Sequence, residues 1–325
     1  MRDFKIAIEE HVNVPELAEE AGRYYPPDIW AKLRPALLDI EGKLLSDMDA
    51  SGIEMSVLSL YSPGIQSMHE KQRAVDVARR ANDFFAEQVA KRPDRFQAFA
   101  ALPMQDPDAA AKELMRCVQE LGFKGALVNG FSQIDREDSI VYYDLPQYWP
   151  FWGLVESLNV PVYLHPRFPL EARADVQGHP WLQASAWAFG VETATHALRL
   201  MTCGLFDKYP KLTVILGHLG ETLPNTVWRI DHRLDVIPRG IPAKRKMADI
   251  LQNNFYATTS GNFCTQTLLN TMLVMGADRI LFSVDYPFEK MSDAAEWFDG
   301  VDTISETDWT KIARTNAERL LNLGR

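Results

Sequence analysis

Eight short apolar runs, each followed by a helical stretch, constrain this 325-residue chain more than any other feature. They are Ile6–Ile8 leading into Glu9-Glu10-His11, Glu54–Ser62, Phe96–Leu102, Lys124–Asn129, Val160–His165, Leu212–His218, Asn254–Ser260 and Arg279–Asp285. Runs that stay apolar instead of alternating belong in a parallel sheet covered on both faces. Eight of them interleaved with helices predict an α/β fold, a (β/α)8 TIM barrel with extra C-terminal helices, as one domain over residues 1–325. The competing open, doubly wound sheet lacks support: no Gly-x-Gly-x-x-Gly follows any run, and charged residues end many runs instead of one switch point.

Between the strands, residues 13–35 are polar and marked by proline, which predicts an irregular cover. Helices are expected over 37–50, closed by Gly52 as a left-handed cap, over 71–90, from Asp106-Pro107 to Gly122, over 149–158 and over 186–206. Two more, over 292–298 and 305–321, end the chain.

The net charge of −10 leaves no basic face for phosphates, which argues against nucleic acid; the basic run Lys244-Arg245-Lys246 reads as a solvated loop or a subunit contact. Cys117, Cys203 and Cys264 are too scattered for a disulfide framework or a zinc-thiolate site. No apolar run reaches the roughly 18 residues of a membrane span, so the expected location is the cytoplasm.

Active sites of such barrels lie at the carboxyl ends of the strands, and here those ends read Glu9 and His11, Asn129, His165, His218 and Asp285. Alternate side chains of a strand share a face, so Glu9 and His11 point one way and Glu10 the other. Of only seven histidines, three fall at strand ends. Together with the two acids they predict one divalent metal ion, Zn2+ or Mn2+, in a mixed nitrogen and oxygen shell. His69, His179, His196 and His232 receive no ligand role.

These residues carry a resemblance. Glu9-x-His11, His165, Gly217-His218-Leu219-Gly220-Glu221 and Ser283-Val284-Asp285-Tyr286-Pro287 resemble the amidohydrolase superfamily, in its nonoxidative aromatic acid decarboxylase branch, where Glu-x-His replaces the His-x-His of many hydrolases. Leu102-Pro103-Met104-Gln105-Asp106-Pro107, Gly125-Ala126-Leu127-Val128-Asn129-Gly130-Phe131, Trp228-Arg229-Ile230-Asp231-His232-Arg233 and Thr258-Thr259-Ser260-Gly261-Asn262-Phe263 are most similar to the members acting on 2,6-dihydroxybenzoate (γ-resorcylate).

The resemblance implies that Glu9, His11, His165 and Asp285 bind one metal and that His218 and Glu221 form a pair beside it. It also implies that Arg229 enters the substrate site of a neighbouring copy in a homodimer or homotetramer. Asn129 is a further candidate for the small aromatic carboxylate substrate. Where those relatives carry an asparagine that contacts substrate, this chain has Leu234. The stretch Val284-Asp285-Tyr286 is nearer to enzymes of 2,3-dihydroxybenzoate and salicylate.

Nonoxidative removal of CO2 from an ortho-hydroxybenzoate needs a proton on the ring carbon bearing the carboxylate, and Asp285 is the candidate donor, assisted by His218. Glu221 could instead be a first-turn acid favoured by a helix dipole, and Arg229 a surface ion pair. A metal-dependent hydrolase and a non-catalytic metal-binding barrel are the competing functions.

Overall fold

The structure, a computed structural model, describes residues 2–170 and 176–324. Its strands are β1 (Lys5–Val12), β2 (Ile53–Leu60), β3 (Phe96–Ala98), β4 (Ala100–Ala101), β5 (Ala126–Asn129), β6 (Val162–His165), β7 (Val214–Leu216), β8 (Phe255–Thr258) and β9 (Ile280–Leu281). Every ladder between them is parallel. β3 and β4 are halves of the third apolar run: β3 pairs with β2, and past Phe99 the chain pairs onward with β5. Eight staves therefore stand where eight runs were read.

The last stave meets the first through a single parallel bridge, Glu10 to Tyr286. The His11 N–H donates to the Tyr286 carbonyl at 2.8 Å, and the Asp285 N–H to the Glu9 carbonyl at 3.1 Å. The sheet is thus a closed barrel.

Strand alternation sorts the core into two layers. Ile6, Ile8, Met55, Val57, Phe99, Leu127, Tyr163, Ile215 and Leu281 fill the barrel interior, joined by Ala317 and Leu321 of the C-terminal segment. Ala7, Leu58, Val128, Leu164 and Leu216 face outward into the layer between strands and helices. Burial on both faces explains why the runs are continuously apolar.

Three local expectations fail for physical reasons. The cover over 13–35 is not irregular throughout: Pro27–Leu38 is a helix whose Pro27 occupies the first turn, where a missing N–H costs nothing, although Pro35 removes one bond inside. The helix expected over 37–50 is broken at Asp39, whose carboxylate accepts the Gly42 N–H at 2.8 Å and starts a new, wider turn before Leu45–Ala50. The helix over 186–206 divides at Gly204, with φ +89°, into Ala188–Thr202 and Leu205–Lys208. The Asp106 cap is present, accepting the N–H groups of Asp108 and Ala109 at 3.0 Å, and Gly52 has φ +65°. Among the described residues no helix is long and apolar enough to cross a membrane.

Candidate metal centre and active site

Glu9, His11, His165 and Asp285 each turn one ligand-type atom into a common space, with these atoms all within 4.8 Å of one another. Glu9 and His11 come from β1 and are completely buried; His165 ends β6; Asp285 follows β9. Glu9 Oε1 lies 3.2 Å from His165 Nε2 and 3.8 Å from His11 Nε2, and Asp285 Oδ1 lies 3.3 Å from His11 Nε2. Glu9 Oε1, His11 Nε2 and Asp285 Oδ1 are buried with no hydrogen-bond partner among the described residues. Buried polar atoms left this way are costly unless something else satisfies them, and a divalent cation at their meeting point does so.

On Glu9 and His11, the atoms turned away from that point are tied down. Glu9 Oε2 accepts the hydroxyls of Tyr163 and Ser260 and, at 3.3 Å, that of Thr258. The Ser59 hydroxyl lies 3.1 Å from His11 Nδ1 and donates to the Glu10 carbonyl, so Nδ1 carries a proton and Nε2 is the nitrogen turned to the metal space.

The charge balance of these groups suits a cation. Burial alone would raise the Glu9 carboxyl, but the imidazoles of His11 and His165 outweigh it and hold it well below the usual range. Burial would depress His11, yet the Asp285 and Glu9 carboxylates beside it lift it to about 9. Burial and the charge of His11 push His165 down. Two buried carboxylates converging on one point favour a cation held between them.

His218 and Glu221 sit beside this group on an unusual backbone. His218, Leu219, Gly220, Glu221 and Thr222 all have positive φ, between 52° and 89°, forming a left-handed turn. Four of the five are not glycine, and each costs about 1–2 kcal/mol. The turn is held by Gly220 N–H to the Gly217 carbonyl at 2.7 Å, Asn262 Nδ2 to the His218 carbonyl at 3.3 Å and Thr271 Oγ1 to the Leu219 carbonyl at 3.2 Å. Its product is a short pair, His218 Nδ1 to Glu221 Oε1 at 2.6 Å, which leaves His218 Nε2 3.7 Å from Asp285 Oδ2. Burial opposes a charge on His218, but Glu221 and Asp285 overcome it and raise the imidazole well above its ordinary range. Gly261 must be glycine: a Cβ there would meet His218 Cδ2 at 2.9 Å.

A cavity of about 670 Å³ opens over His165, His218 and Asp285. Its aromatic wall places Phe288 5.7 Å from Tyr61 and 6.3 Å from Tyr25, and Phe168 5.9 Å from Tyr25, measured between ring centres. Burial pushes the Tyr25 hydroxyl up to about 12, so this wall stays uncharged. Such a chamber suits a flat aromatic ring with a polar edge turned to the metal group.

Of the residues singled out in the sequence, six are gathered here: Glu9, His11, His165, His218, Glu221 and Asp285. Asn129 is not. It ends β5, but its Nδ2 donates to the Leu60 carbonyl at 3.3 Å and it does not line the cavity. Arg229 and Leu234 lie on the helix Leu223–Val236, away from the cavity of their own chain; Arg229 is exposed and Leu234 packs against the core. Sequence reasoning missed Tyr163, Ser59, Thr258 and Ser260. The signal was there in part, because Tyr163 precedes His165 by two on one strand face and Ser59 stands in register with His11.

The sequence profile of the Amidohydrolase family matches residues 11–323. The γ-resorcylate decarboxylase of Polaromonas sp. (strain JS666) is 56% identical over 325 residues, covering 99% of each chain. A crystal structure of 2,6-dihydroxybenzoate decarboxylase complexed with 2,6-dihydroxybenzoate superposes with a TM-score of 0.95 at 55% identity, covering 99% of this chain and all of that one. The Polaromonas dihydroxybenzoic acid decarboxylase, solved with manganese and the inhibitor 2-nitroresorcinol, gives 0.94 at 55% identity, covering all of this chain and 98% of that one. With its barrel, its four-ligand group and a match over nearly its whole length, the chain belongs to the amidohydrolase family, in the branch of the nonoxidative decarboxylases.

Proposed function

We propose that this chain, as a single barrel domain, decarboxylates 2,6-dihydroxybenzoate to resorcinol and CO2 without oxidation, reversibly. The observation that carries the reading is the convergence of unpartnered Glu9, His11 and Asp285 atoms on the floor of an aromatic-walled cavity, beside His218. The relative solved with 2,6-dihydroxybenzoate, matched from end to end, supports the substrate.

Glu9, His11, His165 and Asp285 would hold one divalent cation, manganese as in the Polaromonas relative or zinc. That cation supplies Lewis acidity toward oxyanion charge on the substrate. The aromatic wall receives the ring and excludes water from it. Asp285 turns Oδ1 toward His11 and Oδ2 toward His218, so Oδ2 is the oxygen that delivers a proton to the ring carbon bearing the carboxylate. The ring loses aromaticity at that step. The electron pair of the C–C bond then returns to the ring as CO2 leaves, and Asp285 is left as a carboxylate beside His218. The imidazolium of His218, oriented by Glu221, steadies that charge.

Arg229 has no ion pair or hydrogen bond among the described residues, and its helix carries it away from its own cavity. On this reading it crosses to a second copy in a homodimer or homotetramer and pairs with the substrate carboxylate, for which its planar fork is suited. Leu234 on the same helix favours a second reading, in which salicylate or 2,3-dihydroxybenzoate is also accepted, because leucine offers the second hydroxyl no hydrogen bond. The cytoplasm is the proposed location.

The test is CO2 release from a panel of hydroxybenzoates by metal-stripped protein given Zn2+ or Mn2+. Rapid release from 2,6-dihydroxybenzoate, dependent on metal, is expected. Release from none of the panel by protein shown to be metal-loaded would overturn the reading.

A further inference from the structure

Glu10 faces away from the metal group, takes no part in the chemistry above and is completely buried. Its contacts are all with one short segment. Oε1 accepts the Ser283 hydroxyl and the Val284 N–H, each at 3.0 Å, and Oε2 accepts the Tyr286 N–H at 3.2 Å. These donors flank Asp285 on both sides. Asp285 has φ +82°, a region that L-residues avoid, and its own N–H is taken by the Glu9 carbonyl at 3.1 Å.

The setting makes this carboxylate necessary. β9 ends at Leu281, and the join between last and first staves has one bridge where a regular ladder would have several. The amides of Val284 and Tyr286 would otherwise be buried without acceptors, at a cost of about 1–3 kcal/mol each. Ser283 extends the same join: its hydroxyl accepts the N–H groups of Ile8 and Glu9 at 3.0 and 2.6 Å and donates to Glu10. One side chain of the first stave thus stands in for the missing ladder.

We propose that Glu10 is the positioning residue for Asp285. By gripping the peptides before and after it, Glu10 fixes the left-handed backbone that points Oδ1 at His11 and Oδ2 at His218. Both oxygens are needed, so the reach of glutamate sets the span. The inference rests on the proposed function for the task it gives Asp285, and its test reads the metal site separately from turnover.

The test compares Glu10→Gln, which turns an N–H donor toward one of the clamped amides, with Glu10→Asp, which keeps the carboxyl group and loses the reach. Each is examined for cooperative thermal unfolding, Co2+ affinity, the Co2+ absorption spectrum, and kcat and KM on the hydroxybenzoate the parent turns over. Both variants should bind Co2+ about 10–100-fold more weakly with an altered spectrum. Per metal-loaded site, kcat should fall about 100-fold while KM moves less than about threefold, as a displaced proton donor requires. A folded Glu10→Gln with the parent's spectrum, affinity and kcat overturns the proposal, as does full recovery of all three in Glu10→Asp. If one variant does not fold the other decides, and if neither folds Ser283→Ala, which removes one of the three donors, decides by the same readings. A parent that binds Co2+ but turns over no hydroxybenzoate would sink the proposed function and leave the Co2+ readings to judge the clamp.

Discussion

At the rim of the barrel, Glu9 and His11 are buried and their side-chain atoms not aimed at the metal space are held by neighbours: Tyr163, Thr258 and Ser260 on Glu9, Ser59 on His11. A few residues beyond His218, on the helix Leu223–Val236, the picture inverts. Trp228 is 73% exposed and stacks on His232 at 5.2 Å between ring centres, and Arg229 stands in solvent without a partner among the described residues. The rim's Glu9 and His11 are held from within one chain, whereas the helix face presents an exposed aromatic ring and a cation unpaired among the described residues. Substitutions at the rim should therefore act on the chain that carries them, and those on the helix face on its neighbour.

The largest effect expected is at the rim. Asp285→Asn keeps an oxygen for the metal but has no carboxylic proton, so activity should drop about 10²–10⁴-fold even with excess metal restored. Near-parental CO2 release from that metal-loaded variant would show that another group protonates the ring.

A mixing experiment sharpens the contrast. Arg229→Ala and Asp285→Asn proteins, each inactive, unfolded and reassembled together, should regain about a quarter of the parent's activity, because half of the dimers are hybrids with one intact site of two. If hybrids form and stay inactive, Arg229 serves its own chain and the division into two regions fails.

The smallest effect is expected at Leu234, on the inner side of the same helix. Leu234→Asn should shift the preference for 2,6-dihydroxybenzoate over salicylate upward by about 2–10-fold, the worth of one neutral hydrogen bond. An unchanged ratio places this position outside the pocket of either copy.

The rim was largely legible in the sequence and the helix face was not. A strand buried on both faces is a continuous apolar run, so the ionisable residue that ends it stands out; this is how Glu9, His165, His218 and Asp285 could be read. Asn129 stood out by the same rule, but its side chain turns to the Leu60 carbonyl at the end of β2 and not into the cavity. The left-handed turn over His218–Thr222 was invisible, since only Gly220 among its residues signals positive φ and the rest are imposed by Asn262, Thr271 and the neighbouring strands. The helix Pro27–Leu38 hid behind three prolines that read as breakers, two of them at a start where proline is tolerated. Tyr163 and Ser59 looked like ordinary strand residues because hydroxyls that orient a ligand have no pattern of their own.

The join between first and last staves has a consequence for how the molecule is made. Glu9 stands near the start of the chain and Asp285 near its end, and the Asp285 N–H closes back on the Glu9 carbonyl. Neither half of a growing polypeptide owns all four of the proposed ligands, and a contact of such long range is slow to form. Capture of the cation is thereby reserved for chains whose synthesis has passed the eighth stave, and the stabilisation it brings goes only to finished molecules.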